Sequence, residues 1–354
     1  MTSTNDLSLA TRELFVRSVA KQVYMRTPFI EELYRRNKVT FSGGKYIERL
    51  LDIKEMDDLY QAYSPNDVLK DGKREMLAKP RFTFKYGQVP LKYDVDEYTE
   101  NYTAKANKEI ALLDMAGFLA EKGQRAMKLA MMKMMFNVNP EDGSGSETGV
   151  GDNAKQFQSL ASALDHGVSA YGTIARTIGG ANGYWMGADP EGRPDIVSSS
   201  NQTTAYNISI SNIRKWLIPI EAYMEEGADL YIMMCPTLFN KLRSEVESHG
   251  EFSLDKSKME YGIESFSIDR HQIVKVPYLQ NGYGTAGTTE NWVFMLNLND
   301  WELRIHSDRN FDVTPFEWQG KYSNGLDYYL ARIMVKGNLL CWKPNGSMWL
   351  KNVS

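Results

Sequence analysis

Cysteine is scarce: the 354 residues hold two, Cys235 and Cys341, each inside an apolar run and neither in a CxxC pair. That excludes a disulfide scaffold and suits a reducing compartment, with both thiols acting as small core residues. Histidine is nearly as rare. His166, His249, His271 and His306 are scattered, none has a second His or Cys at ligand spacing, and there is no HExxH. GxSxG and GxGxxG are absent as well. Neither sign of charge dominates, since 41 Lys and Arg against 45 Asp and Glu leave a formal net charge of −4. A dedicated nucleic-acid binder would show a basic surplus or stripe, so tight DNA or RNA binding is not the expected main task. Long apolar runs are missing too, which excludes a membrane-spanning helix. The opening MTSTNDLSLATRELF has no basic start followed by an apolar stretch, so no signal peptide is expected and the product is expected to stay, at least at first, in the cytoplasm. The N-x-S/T triplets at Asn101, Asn201, Asn207, Asn345 and Asn352 carry no meaning without secretion.

What is present is organised around Thr103 to Asn137, which contains no proline and two internal glycines, Gly117 and Gly123. Ile110, Leu113, Gly117, Ala120, Met127, Met131 and Met134 recur at helical spacing, with Thr103 as N-cap, acids towards the start and lysines towards the end. Roughly 30 residues would span about 45 Å, a soluble beam in mid-chain.

Before it, residues 5–36 read as a helical arm interrupted at Pro28. Residues 38–100 read as a long hairpin-like excursion: a strand in VTFSGGKYIERLLDI, a charged stretch with a turn at Asp71-Gly72, then RFTFKY, a turn at Gly87-Gln88, and VPLKYDVDEY. A two-stranded ribbon is marginal in water alone, so arm and excursion both make sense against another molecule. After the helix, NPEDGSGSETGVGDN is a flexible loop. It follows a helix and lacks the Gly-Lys-Ser/Thr ending of a phosphate loop. An amphipathic helix from 208, a buried strand ADLYIMMCP stopped by Pro236, and a helix capped by Thr237 form a compact unit. The remainder is strand-rich.

No catalytic constellation emerges. Asp57-Asp58 and Glu225-Glu226 are adjacent carboxylates, which point different ways and read as solvated faces. Met127, Met131, Met132, Met134 and Met135 lack a nearby Cys or His and read as adaptable packing rather than a soft-metal site. No catalytic, metal or cofactor-binding residue is assigned, no cofactor is expected, and the chain is not expected to be an enzyme.

The order of these elements resembles the major capsid proteins of tailed bacteriophages, the Hong-Kong-97-type capsid fold. The resemblance rests on the arm ending PFIEELYRRN, the Gly-Gly strand VTFSGGKYIERLL, the helix EIALLDMAGFLAEKGQRAMKLAMMKMMF, then ALDHGVSAYGTIART with Trp185, ADLYIMMCPTLFNKL, and the closing VFMLNLNDWELRIH to NLLCWKPNGSMWLKN. It implies an α+β fold with an N-terminal arm (1–37), an extended β-hairpin E-loop (38–102), a peripheral domain with the long spine helix (103–159), an axial domain (160–299) and a return to the peripheral domain (300–354). It further implies a shell subunit forming hexamers and pentamers around double-stranded DNA, the virion capsid being assembled in the host bacterial cytoplasm. Implied partners are other copies of the chain, a separate scaffold protein, a portal, a decoration protein, and weak nonspecific contact with packaged DNA, with no membrane. Some relatives join lysine to asparagine between subunits. Lys70, Lys73 and Lys79 lie near the E-loop tip and Asn345 and Asn352 near the end, but both residue types are too common to single out such a bond. The competing readings are an encapsulin-like nanocompartment shell and a tail or baseplate structural protein.

Overall fold

The computed structural model describes residues 28–52, 60–69, 77–95, 115–136, 156–164, 170–176, 185–188, 206–225, 228, 230–249, 265–279, 291–319 and 327–354. Helix α1 (Pro28–Arg35) begins at its proline, whose missing N–H costs nothing at a first helical position. A helix opening at Pro28 agrees with the interruption expected there, and residues 1–27 of the expected arm lie outside the described residues. Phe29, Ile30 and Leu33 are buried. Burial pushes the Glu32 carboxyl up, but Arg35 and Arg36 outweigh it and hold it below its ordinary value. Strands β1 (Val39–Ser42), β2 (Tyr46–Glu48), β3 (Leu51–Asp52), β4 (Leu77–Ala78), β5 (Arg81–Thr83) and β6 (Lys85–Asp94) follow. Then come α2 (Met115–Met135), α3 (Leu160–Leu164), β7 (Ala170–Tyr171), β8 (Ile174–Ala175), α4 (Ile210–Glu221), β9 (Tyr231–Met234) and α5 (Pro236–His249). The chain closes with β10 (Ser265–Ile268), β11 (His271–Lys275), β12 (Val293–Leu296), β13 (Trp301–His306), β14 (Asp312–Val313), β15 (Glu317–Trp318), β16 (Tyr328–Cys341) and β17 (Met348–Leu350).

Two sheets carry the body. In the first, β16 is the axis: β6 runs antiparallel along one side of it, while β15, β14 and β13 take the other side in turn, and β1 lies parallel to β13. Both ends of the expected excursion, β1 and β6, thus belong to the body sheet, and the free-standing part narrows to about residues 43–84. The turn expected at Gly87-Gln88 is unbroken strand. The glycine is there because a Cβ would sit 3.1 Å from Val335 and 3.4 Å from Met127, so it marks close approach of helix and sheet. Pro90 is placed so that its missing donor harms nothing. Its partner Arg332 turns its own N–H and C=O to Thr314 on the other side, so Pro90 directs its backbone nitrogen to the outer edge of β6 and interrupts that edge.

The second sheet has the order β10-β11-β9-β12-β17. All four residues of β9 are buried, as a central strand requires. The chain does not simply return to the first sheet after residue 300, because β17 joins the second beside β12. Pro236 is the first residue of α5 rather than only the end of a strand. Cys235, not Thr237, precedes the helix and takes the Leu238 N–H on its sulfur. Helix α4 is capped by Ser209, whose hydroxyl accepts from Asn212 N–H at 3.2 Å.

Helix α2 is the expected beam, and residues 103–114 of that expectation lie outside the described residues. Its 21 described residues span about 31 Å. The buried side is Gly123, Met127, Met131, Met132 and Met135, while Gly117 is exposed and Met134 only partly buried. The methionines are core, as their spacing suggested. A Cβ on Gly123 would lie 2.6 Å from both Ile333 and Leu91, so the glycine lets helix and first sheet meet closely. At the far end Phe136 packs on Phe294 of the second sheet, with ring centroids 5.8 Å apart, and on Phe29 of α1 at 6.1 Å. The helix spans both sheets.

Two of the chain's crossings between the sheets lie side by side. One runs from Leu296 to Trp301, the other from Cys341 to Met348. Trp342 N–H donates to the Asp300 carbonyl at 2.9 Å, and Ser347 Oγ accepts from Asn297 N–H (3.1 Å) and Trp301 Nε1 (3.2 Å). The Asn297 amide donates to Asp300 Oδ2 at 2.7 Å. Glu302 accepts from Thr40 of β1, from Trp342 Nε1 (2.6 Å) and from Arg304 (2.6 Å). Those bonds outweigh burial and hold its carboxyl below the ordinary value.

Two predictions follow from the packing and the joint. Gly337→Ala would set a Cβ 2.8 Å from the Arg304 carbonyl, wedging β16 off β13. It should cost about 1–3 kcal/mol in denaturant unfolding, while Gly117→Ala on the exposed side of α2 should be neutral or stabilise by up to about 1 kcal/mol. Burial, reinforced by Glu225, pushes the Asp300 carboxyl to about 6 against the pull of Lys343. The folded chain therefore binds a proton that the unfolded chain has released, and stability falls as pH rises from about 4 through about 6. The loss should be on the order of 2–3 kcal/mol, and in Asp300→Asn that slope should disappear from unfolding curves taken across the window.

Candidate functional site

Among the described residues, His271, His306 and both cysteines serve the fold. His271 is buried, accepting Leu230 N–H on Nδ1 at 3.0 Å with Nε2 3.4 Å from Glu221. His306 accepts Asp308 N–H on Nδ1 (3.3 Å) and packs on Phe84. Cys235 and Cys341 are free and buried, and burial pushes the Cys341 thiol well above its ordinary value. His249 lies in α5, and His166, Asp57, Asp58 and Glu226 lie outside the described residues. Among the described residues no group of three His, Cys, Asp or Glu could hold a metal, and no helix is long and apolar enough to cross a membrane. Lys79 is ion-paired with Glu48, Asn345 is buried, and Lys70 and Lys73 lie outside the described residues.

The feature that stands out is the hairpin between β1 and β6. It leaves the body through Gly43-Gly44, with Gly44 at φ +109°, a conformation that side chains rarely adopt. Strands β2 and β5 then pair antiparallel, with Ile47 opposite Phe82, and further out Leu51 of β3 faces Ala78 of β4. One side of this base is core: Ile47, Ala78, Phe82 and Phe84 are buried. On the other side Glu48 pairs with Lys79 and with Arg81 (2.6 Å), and the Arg81 guanidinium lies 4.7 Å from the Tyr46 ring centroid.

The socket that holds the base is the stretch AYGTIAR, residues 170–176. Strands β7 and β8 join through Gly172 and Thr173, at φ +60° and +67°. The Phe82 ring packs on Tyr171 (5.0 Å) and on Trp342 (5.8 Å), and Arg81 N–H donates to the Gly172 carbonyl at 2.8 Å. Buried Arg176 donates to the carbonyls of Ala163 (2.8 Å), Trp185 (2.8 Å) and Ser162 (2.5 Å), tying three separate stretches into one wall. Trp185 Nε1 donates to the Tyr171 carbonyl at 2.9 Å, and Tyr171 Oη accepts from Cys341 N–H at 2.9 Å. The Asn338 amide, fully buried in β16, donates to the Thr83 carbonyl at 3.0 Å and accepts from Gln158 N–H at 2.9 Å.

Beyond the socket the character reverses. Tyr60 is 82% exposed, Tyr63 66%, Val68 88% and Leu69 56%, and Leu50 and Leu77 are exposed as well. Isolated exposed apolar residues are ordinary, but this many along one protrusion is the mark of a contact surface. The hairpin is thus rooted in its own chain at the base, with Tyr60, Tyr63, Val68 and Leu69 exposed among its described outer residues. Sequence reading singled out ALDHGVSAYGTIART and Trp185 through the resemblance, but not that they form a socket for the hairpin or that Asn338 of β16 takes part in it.

If the socket sets the hairpin's direction, Gly172→Ala should loosen it, because the new Cβ would meet the Phe82 ring at 2.5 Å and the backbone would be strained. Stability should fall by about 1–3 kcal/mol, with faster proteolysis inside residues 43–84. Phe82→Leu in the same chain should recover part of the loss by clearing the ring.

No protein-family model matches the chain, and no characterised protein matches it by sequence. Solved structures do match in shape. A capsid asymmetric unit of cyanophage A-1(L) superposes with a TM-score of 0.66 at 12% identity, covering 96% of each chain. The capsid of a native GTA particle gives 0.53 at 11% identity, covering 98% of this chain and 99% of the other. The holo-SrpI encapsulin complex of Synechococcus elongatus PCC 7942 gives 0.52 at 9% identity, covering 99% of this chain and 96% of the other. At such identities the likeness is one of fold, and the chain has the α+β fold of these capsid and encapsulin shell proteins.

Proposed function

We propose that the chain is the major capsid protein of a tailed bacteriophage, self-assembling into hexamers and pentamers that tile an icosahedral shell around double-stranded DNA. The carrying observation is the hairpin, whose base is locked into its own chain while Tyr60, Tyr63, Val68 and Leu69 are left in solvent. An apolar tip of this kind is stabilised when it docks on a neighbouring copy. A tip that docks away from its own equivalent on the neighbour makes a head-to-tail contact, the kind that closes into rings. The proposed division keeps the arm (1–37), the E-loop (free part about 43–84), a peripheral region built on the first sheet and α2, and an axial region built on the second sheet. Scaffold, portal and decoration proteins are the proposed partners, the host bacterial cytoplasm the place of assembly, and the virion capsid the destination. The role is structural rather than enzymatic.

The fold likeness to an encapsulin complex supports a second reading, a nanocompartment shell. The contents of purified particles separate the two, with DNA expected and an enzyme cargo favouring the alternative.

Negative-stain images of the expressed chain, alone and with a candidate scaffold, should show round shells of uniform diameter. Tubes or small rings would overturn the reading in favour of a tail component. Tyr60→Ser/Tyr63→Ser/Leu69→Ser should abolish shells while shifting Tm by no more than about 2 °C, since these side chains are exposed and surface changes of this kind cost little. Normal shell yield from the triple variant would remove the hairpin from the assembly contact.

A further inference from the structure

The His271 ring is fully buried at the first position of β11, where the β10–β11 hairpin comes back into the second sheet. Its Nδ1 accepts the N–H of Leu230, the residue that leads into β9, at 3.0 Å. The Leu230 carbonyl takes the next N–H of the same strand, that of Gln272, also at 3.0 Å. A neutral ring that accepts on Nδ1 carries its proton on Nε2, and Nε2 lies 3.4 Å from Glu221 Oε1. The closed arrangement therefore requires the uncharged imidazole. An imidazolium has two donors and no acceptor, so a proton on Nδ1 would meet the Leu230 N–H donor to donor. That bond must then break, whatever the pH at which the proton arrives.

The surrounding charges favour an exchange of partners. Among the described residues, α4 brings Glu221 and Arg214 and the hairpin turn brings Asp269 and Arg270. Strand β9 brings no charged side chain, and Glu245 of α5 is engaged at the other end of α4 with the Ile210 N–H. Arg214 pairs with Asp269 at 2.8 Å, and Arg270 lies 3.7 Å from Glu221. Glu221, partly in solvent, is the carboxylate a charged ring would take up. The turn is already costly to hold, since Asp269 and Arg270 sit at φ +46° and +66°. Among the described strands β10 pairs with β11 alone, so this end of the sheet can part without opening its centre.

We infer that His271 is a proton-operated catch: at neutral pH it fastens the turn end of the β10–β11 hairpin to the head of β9, and in mild acid it releases Leu230 and turns to Glu221. The hairpin end then loosens. Phe266 and Ile268 lose their cover, Phe266 being packed on Phe239 of α5 with ring centroids 5.1 Å apart in the closed form. The catch is a property of the second sheet and does not depend on the shell reading. Its sign is opposite to that of Asp300, whose ionisation destabilises as pH rises through about 6. Loosening at β11 on acidification is therefore not the work of Asp300.

Hydrogen exchange on the full chain, corrected for the intrinsic pH dependence of exchange, reads the catch between about pH 7.5 and about pH 5.5. Residues 230–234 and 266–274 should lose protection about tenfold or more in acid, while 335–341 in β16 should keep theirs. In His271→Asn the amide oxygen can take the Leu230 N–H but cannot gain a proton, so protection should be the same at both ends of the range. Glu221→Gln should move the midpoint of the loss to lower pH, because the charged ring no longer finds a carboxylate. Nitrogen NMR of isotopically labelled histidine in the parent chain needs no variant: the buried ring should be the Nε2–H tautomer at the higher pH and gain its second proton over the interval in which protection falls. Flat protection in the parent, an equal acid loss in His271→Asn, an unmoved midpoint in Glu221→Gln, or a ring that stays neutral while protection falls would each overturn the inference.

Discussion

The structure depends on the place where the chain crosses twice between its sheets. A fold with two sheets needs their relation fixed, and every connection between them is a potential hinge. Here the β12–β13 crossing and the β16–β17 crossing are bonded to each other through Ser347, Asp300 and Trp342. One crossing cannot swing without breaking bonds to the other. Glu302 extends the bracing to β1 by way of Thr40, so the strand that leads into the hairpin is tied to the same point. Helix α2 adds a second strut, with Gly123 on one sheet and Phe136 on the other. A body braced twice in this way gives the hairpin a fixed base from which to point.

Rigidity at the base and exposure at the tip are two halves of one arrangement. Ordering a long flexible protrusion at the moment of association would spend association free energy on conformational entropy. The Phe82–Tyr171–Trp342 packing and the Asn338 and Arg176 hydrogen bonds meet that cost within the chain, during folding. The tip's apolar surface is then left to act on a neighbour.

The sequence carried the large periodic features plainly. The helical spacing in α2, the amphipathic character of α4 and the apolar β9 announced themselves because burial repeats at a fixed interval. Glycine and proline misled where one residue type serves several ends. Gly87 looked like a turn and is a point of close approach within a strand. Pro236 looked like a strand stop and is also the first residue of α5. Pairing was the least legible feature. Nothing local in VTFS says that β1 lies parallel to β13, some 260 residues away, or that SMWL adds to the second sheet. Such contacts are set by tertiary packing and leave only an apolar pattern behind. The hairpin socket was hidden for the same reason, since Arg176 gains its role only when Ala163, Trp185 and Ser162 converge on it.

A chain built to associate must also avoid associating wrongly, and the placement of its apolar and blocked surfaces bears on that. On β6, Pro90 removes a donor from the side away from β16, while Lys92 and Asp94 add charge beside it. The exposed tyrosines and aliphatic residues concentrate instead on the hairpin, where contact is made by side chains rather than by a generic backbone ladder. Side-chain contacts depend on shape and can be satisfied by a complementary patch, whereas a bare edge accepts almost any strand. Closing one route and leaving the other open biases self-association towards a geometry that repeats from subunit to subunit, which is what any closed assembly requires of its interfaces.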